Sequence, residues 1–159
     1  MKILVVYYSR TGTTKKIGDF LAEKLGAEVE EIRDTVNRNG VKGYLISGRD
    51  AMKKRLTKLE PATLNPAEYD LVIIGTPIWG WNVSTPVRTY ITEQKDNFKK
   101  VAFFCTMGGS GNEKAFTEME KIIGQKPIGT FSVLTREVAN NNFSEKVEKF
   151  INSIQSESL

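Results

Sequence analysis

Ile3-Leu4-Val5-Val6-Tyr7-Tyr8-Ser9-Arg10-Thr11-Gly12-Thr13-Thr14 is the stretch on which the reading of the chain turns. Its first six residues are aliphatic or aromatic, which suits a strand buried on both faces of a parallel sheet. Hydroxyls then crowd around Gly12. Ile17, Phe20, Leu21 and Leu25 follow at helical spacing, and Gly26 closes the pattern. A strand, a short hydroxyl-rich loop and a helix form a layout for holding phosphate, because the helix start offers unpaired N–H donors and the positive end of its dipole. The same layout also serves as an ordinary capped turn. The loop contains neither Gly-x4-Gly-Lys-Ser/Thr nor Gly-x-Gly-x-x-Gly, so it is not a P-loop or a dinucleotide fingerprint.

Outward from this stretch, Leu71 to Gly75 and Val101 to Cys105 read as two further buried strands. Ala27 to Ile32 is half polar and suits an edge strand, and Ile128 to Leu134 supplies a fifth. Between them lie helical patterns. Tyr44, Leu45, Met52, Leu56 and Leu59 form one apolar stripe over roughly residues 44–59. Val87, Tyr90 and Ile91 open the next helix. Phe116, Met119, Ile122 and Ile123 follow behind Asn112 as N-cap, and Phe143, Val147, Phe150 and Ile154 mark the last helix, capped by Asn142 or Ser144. Thr135 to Asn142 reads as a brief loop. Strands alternating with helices predict a three-layer α/β/α sandwich on a five-stranded parallel sheet, as one domain over residues 1–159. The weaker second and fifth strands belong at the edges of an order 2-1-3-4-5.

That order brings the carboxyl ends of strands 1, 3 and 4 to one rim. There stand Ser9–Thr14, Thr76–Pro86 and Thr106–Asn112, the three loops of unusual composition. The second reads Thr76-Pro77-Ile78-Trp79-Gly80-Trp81-Asn82. Two tryptophans in a polar connection suit a flat aromatic ligand, by stacking, although either alone also suits a plug packed beneath the loop. The third reads Thr106-Met107-Gly108-Gly109-Ser110-Gly111, and its glycines permit close approach of a ligand to backbone N–H groups.

The bulk composition narrows the chemistry. The chain has 159 residues, 40% hydrophobic and 26% charged, which is ordinary for a water-soluble fold. It has no histidine and one cysteine, Cys105, which removes Ser-His-Asp triads, imidazole metal sites and internal disulfides. A cytoplasmic location, no signal peptide and no membrane span are expected. The net charge is +4, with Lys42, Arg49, Lys53, Lys54, Arg55 and Lys58 facing only Asp50 between residues 40 and 58. A solvated basic helix face accounts for that better than specific nucleic-acid binding.

Ser9-x-Thr11-Gly12-Thr13-Thr14, directly after the first strand, resembles the FMN-phosphate loop of the flavodoxins, and Trp79-Gly80 resembles the Trp-Gly beside their flavin ring. The resemblance extends over essentially the whole chain, of the short-chain type, since no long insertion interrupts the fifth strand. The sheet order 2-1-3-4-5 is the one that flavodoxin itself exemplifies. The resemblance implies a flavodoxin-like FMN-binding domain. Its cofactor-binding residues would be Ser9, Arg10, Thr11, Gly12, Thr13 and Thr14 in the first loop, with Arg10 equally suited to the surface. Thr76, Pro77, Ile78, Trp79, Gly80, Trp81 and Asn82 would follow in the second, and Thr106, Met107, Gly108, Gly109 and Gly111 in the third. Trp79 is the preferred stacking residue. The implied activity is electron transport between redox partner proteins, by a monomer or small homo-oligomer without a catalytic side chain. A competing likeness joins Gly75-Thr76-Pro77, Asn82 and Arg88-Thr89-Tyr90 to the NAD(P)H:quinone oxidoreductases of the same superfamily, and implies turnover of a quinone or nicotinamide.

Overall fold

The structure is a computed structural model and describes residues 1–158. Five parallel strands, β1 (Ile3–Tyr7), β2 (Glu28–Glu31), β3 (Leu71–Trp79), β5 (Val101–Met107) and β6 (Thr130–Leu134), lie in the order β2-β1-β3-β5-β6. This is the expected 2-1-3-4-5 arrangement. One strand was not expected: β4 (Asn82–Val83), a two-residue strand that folds back antiparallel on the end of β3.

Alternate residues of β1 feed two cores. Ile3, Val5 and Tyr7 pack with Ile17 and Leu21 of α1 (Thr13–Leu25) and with Val147, Phe150 and Ile154 of α6 (Ser144–Glu157). Leu4, Val6 and Tyr8 face the other layer, where α3 (Thr85–Gln94) contributes Val87, Tyr90 and Ile91 and α4 (Asn112–Ile123) contributes Met119 and Ile123. Side chains leave a strand on opposite faces in turn, so a wholly apolar strand needs a layer on each side. α5 (Thr135–Ala139) is a short helix where the sequence suggested a loop. The N-cap of α4 is Gly111 rather than Asn112, which is the first helical residue.

The helix after β2 departs most from expectation. α2 (Gly40–Met52) is shorter than residues 44–59, and it buries Gly43, Ser47, Asp50 and Ala51. Tyr44, Leu45, Met52 and Leu56, four of the five residues read as one apolar stripe, are exposed. The cause is Arg38, only 3% exposed, which lies beneath the helix. Its Nε donates to Asp34 Oδ2 at 2.5 Å and its Nη1 to Asp50 Oδ2 at 3.2 Å and Ser47 Oγ at 3.4 Å. A buried guanidinium demands partners of this kind, so the polar side of α2 turns inward to supply them. Burial opposes ionisation of Asp50, but hydrogen bonds from Arg49 and Arg38 outweigh it and hold the carboxyl below its ordinary value.

Candidate functional site

β1, β3 and β5 end on one rim, and the loops beyond them enclose a cavity of about 890 Å³. From the first loop, Ser9, Arg10, Thr11, Thr13 and Thr14 line it. Gly12 caps α1 with φ 95°, and its N–H donates to Ser9 Oγ at 3.0 Å. The first intrahelical bond here runs from Lys16 N to the Gly12 carbonyl, which leaves the N–H groups of Thr13, Thr14 and Lys15 without helical partners. The nearby lysines are engaged elsewhere. Lys15 pairs with Asp19 at 3.0 Å and with Glu31 at 3.7 Å, while Lys16 bonds Asn141. The cradle is therefore built from amides and hydroxyls. Thr14 Oγ1 and Thr106 Oγ1 lie 2.8 Å apart, both buried, and tie this loop to the end of β5.

The second loop is mostly strand. β3 runs through Trp79, which pairs with Asn82, so Gly80 and Trp81 alone make the turn. Their φ angles of 54° and 61° are the positive pair that a two-residue type I′ hairpin requires. Glycine adopts this freely; a bulky residue does not. Trp81 is nonetheless held there, 60% exposed and lining the cavity. Trp79 also lines the cavity but is half-buried, with the Tyr8 ring edge-on at 5.4 Å and the Arg38 guanidinium carbon 5.4 Å from its centroid. Pro77, Ile78 and Gly80 complete this wall, and Met107, Gly108 and Gly109 form the third.

Four residues expected at the site are not on the cavity wall: Gly12, Thr76, Asn82 and Gly111. Thr76 is fully buried, its Oγ1 bonded to the Pro77 carbonyl and to Ser84. Asn82 Oδ1 accepts from Val83 N at 2.9 Å and Arg88 Nη2 at 3.2 Å, so its side chain braces the turn from inside. Gly111 is a spacer: a Cβ there would meet Ile78 Cγ2 at 2.8 Å and Trp81 Cα at 3.0 Å. Conversely, α2 brings Tyr44, Leu45, Ser47, Gly48, Arg49, Met52 and Lys53 to the cavity, and Ser110 and Thr135 join them. The signal for α2 was the apolar spacing from Tyr44 to Met52, which marks a shared helix face but not what that face meets.

The lining residues carry no carboxylate, and their cations are Arg10, Arg49 and Lys53. Arg10 lies over the Tyr44 ring, 5.6 Å from its centroid, and its Nη1 donates to the Arg38 carbonyl at 3.3 Å. Burial pushes the Cys105 thiol up to about 12, which makes it an inert core group. Among the described residues no cluster of His, Cys, Asp and Glu is placed to bind a metal, and no helix is long and apolar enough to cross a membrane.

The fold and rim cavity define a flavodoxin-like α/β protein. The family model described as Flavodoxin matches residues 2–150, and the chain belongs to that family. The flavoprotein of Lactobacillus acidophilus NCFM, solved in complex with FMN, is 24% identical, with 87% of this chain and 97% of that one covered and a TM-score of 0.73. A Bacteroides uniformis ATCC 8492 protein described as a flavoprotein is also 24% identical, covering 95% and 97%, at 0.76. An NADH:FMN oxidoreductase in its apo form shares the fold at 12% identity, covering 98% and 88%, at 0.58. None of the curated proteins compared with the chain matches it.

Proposed function

We propose that the chain binds FMN in the rim cavity and carries electrons between redox partners. One observation carries this reading: the cavity is polar at one end and aromatic at the other, in the sense that a flavin mononucleotide needs. At the polar end the unpaired amides at the start of α1 and the hydroxyls of Ser9, Thr11 and Thr13 suit a phosphate, with no carboxylate lining the cavity to repel it. At the other end Trp81 and Trp79 offer surfaces for a planar ring, and Gly108 and Gly109 leave open space beside their backbone, where no atom lies within 4 Å of a Cβ position. Bound there, FMN accepts one or two electrons. The chain's part is to bind and orient the ring and to exclude water from its faces.

The Lactobacillus acidophilus relative in complex with FMN supports the cofactor, and membership of the flavodoxin family supports the carrier role. The test is reconstitution. The purified chain should take up FMN with a flavin absorbance spectrum and should bind FAD far more weakly, since a single phosphate cradle has no place for a pyrophosphate. Replacing Ser9 with Ala and Thr11 with Val should cost about 1.5–3 kcal/mol for each hydrogen bond lost to the charged phosphate. Unchanged FMN affinity in that variant refutes the cradle.

A second reading has its own observation. α2 extends the cavity beyond the three loops with Tyr44, Leu45 and Met52, which suits a second planar molecule. Steady NAD(P)H oxidation with a quinone acceptor would identify a reductase; electron exchange confined to protein partners would identify a carrier.

A further inference from the structure

α2 leaves its apolar side in solvent. Val41, Tyr44, Leu45 and Met52 are 78%, 64%, 65% and 62% exposed, and Leu56 beyond the helix is 56% exposed. At helical spacing, positions 41, 44, 45, 48 and 52 share one face. Gly80 abuts that face, since a Cβ there would lie 2.5 Å from Met52 Cγ, and its neighbour Trp81 is exposed at the cavity wall. An apolar strip of this kind bordered by charge is the mark of an interaction surface.

We propose that this strip is the docking site for an acidic redox protein, seated over α2 and Trp81 beside the flavin cavity. The proposal rests on the FMN reading and adds the class of partner. A small substrate does not account for the strip, because Val41 and Leu56 lie outside the cavity lining. The flanking charge selects among macromolecules. Lys42 and Lys53 border the helix face, Lys58 follows Leu56 by two residues, and none of the three is in an ion pair among the described residues. Asp50 is buried beneath the helix, already paired with Arg38, Arg49 and Arg55. A second copy packed about a two-fold axis would set these lysines against their own equivalents, whereas a partner with surface carboxylates meets them with opposite charge. An anionic lipid surface would cover the cavity mouth and shut out the partner that the carrier role requires.

The probe is an acidic [2Fe–2S] ferredoxin, whose reduced cluster gives one electron to FMN and is itself oxidised. FMN affinity is measured first, by flavin fluorescence, and ferredoxin binding to the FMN-free chain separately, by anisotropy. Two variants, Lys42→Glu/Lys58→Glu and Val41→Ser/Leu56→Ser, alter the strip outside the cavity. The expected result is that both keep FMN affinity and lose ferredoxin affinity, by about tenfold at low salt for the charge variant. The wild-type electron-transfer rate should fall by a similar factor as salt rises. The apolar variant should weaken binding at all salt concentrations. Ferredoxin binding that is absent, insensitive to salt or equal in the variants overturns the proposal. So does dimerisation through the strip in sedimentation, or binding to phosphatidylserine vesicles that depends on Val41 and Leu56 without ferredoxin binding. Failure to take up FMN defeats the functional reading instead, and leaves the anisotropy to decide the surface.

Discussion

The guanidinium carbon of Arg38 sits 5.4 Å from the centre of the Trp79 ring, while the same guanidinium bonds Asp34 and Asp50. One buried cation therefore fixes both the cavity's aromatic wall and the seating of α2. Replacing Arg38 with Met should cost about 3–5 kcal/mol, because buried Asp34 loses its one ion pair among the described residues and Asp50 loses one of three. Urea unfolding measures it. A loss below about 1 kcal/mol would mean that Asp34 and Asp50 reach water.

The two tryptophans should separate by stability. Trp79 touches Tyr8 and Arg38, so Trp79→Ala should cost about 3 kcal/mol. Trp81 is exposed and held at φ 61°, so Trp81→Gly should raise stability by roughly 1 kcal/mol while weakening FMN binding and reducing tryptophan quenching. Destabilisation by Trp81→Gly would show that the ring is packed rather than strained.

The strand order was legible because Ile3–Tyr8, Leu71–Gly75 and Val101–Cys105 are apolar throughout, which only a sheet covered on both faces tolerates. The three loops were legible because their glycines, hydroxyls and tryptophans have no ordinary core role at strand ends. α2 was not. Apolar spacing tells which residues share a helix face but not whether that face meets core or solvent, and the deciding group, Arg38, stands outside the helix. Thr76 and Asn82 lie off the cavity wall for a related reason: a polar side chain in a site loop can serve the turn itself, as their bonds to Ser84, Val83 and Arg88 do.

Stability should fall on acidification as carboxyls held low in the fold take up protons, with Asp50 and Glu118 the least exposed of them. Arg88 lowers Glu118, with Lys54 assisting against burial, and Asp50 is lowered by Arg49 and Arg38 against burial. A carboxyl held lower in the folded state than in the unfolded chain stabilises fully above its unfolded pKa, and loses that contribution as pH falls through the folded value. Unfolding free energy should therefore be level near neutrality and decline below roughly pH 4. The Asp50→Asn/Glu118→Gln variant should be less stable at pH 7 and show a shallower acid slope. An unchanged slope would assign the acid transition to other groups.

The buried hydroxyl pair Thr14–Thr106 joins the start of α1 to the end of β5, at 2.8 Å and away from solvent. Valine is close to threonine in shape, so Thr14→Val removes one hydroxyl and leaves the other without this partner, which should cost about 1–3 kcal/mol. Removing both takes away the unsatisfied group as well. The double variant should then be more stable than the sum of the single losses predicts, by about 1 kcal/mol or more, as coupled neighbours show. Thr14 and Thr106 both line the cavity, so the bond between them ties two of its walls together. If the pair's main role is to hold the loop in place, both single variants should weaken FMN binding, and Thr106→Val should do so without removing any hydroxyl from the first loop. Strict additivity in urea unfolding, together with unchanged FMN affinity in Thr106→Val, would show that the contact is incidental to both fold and site.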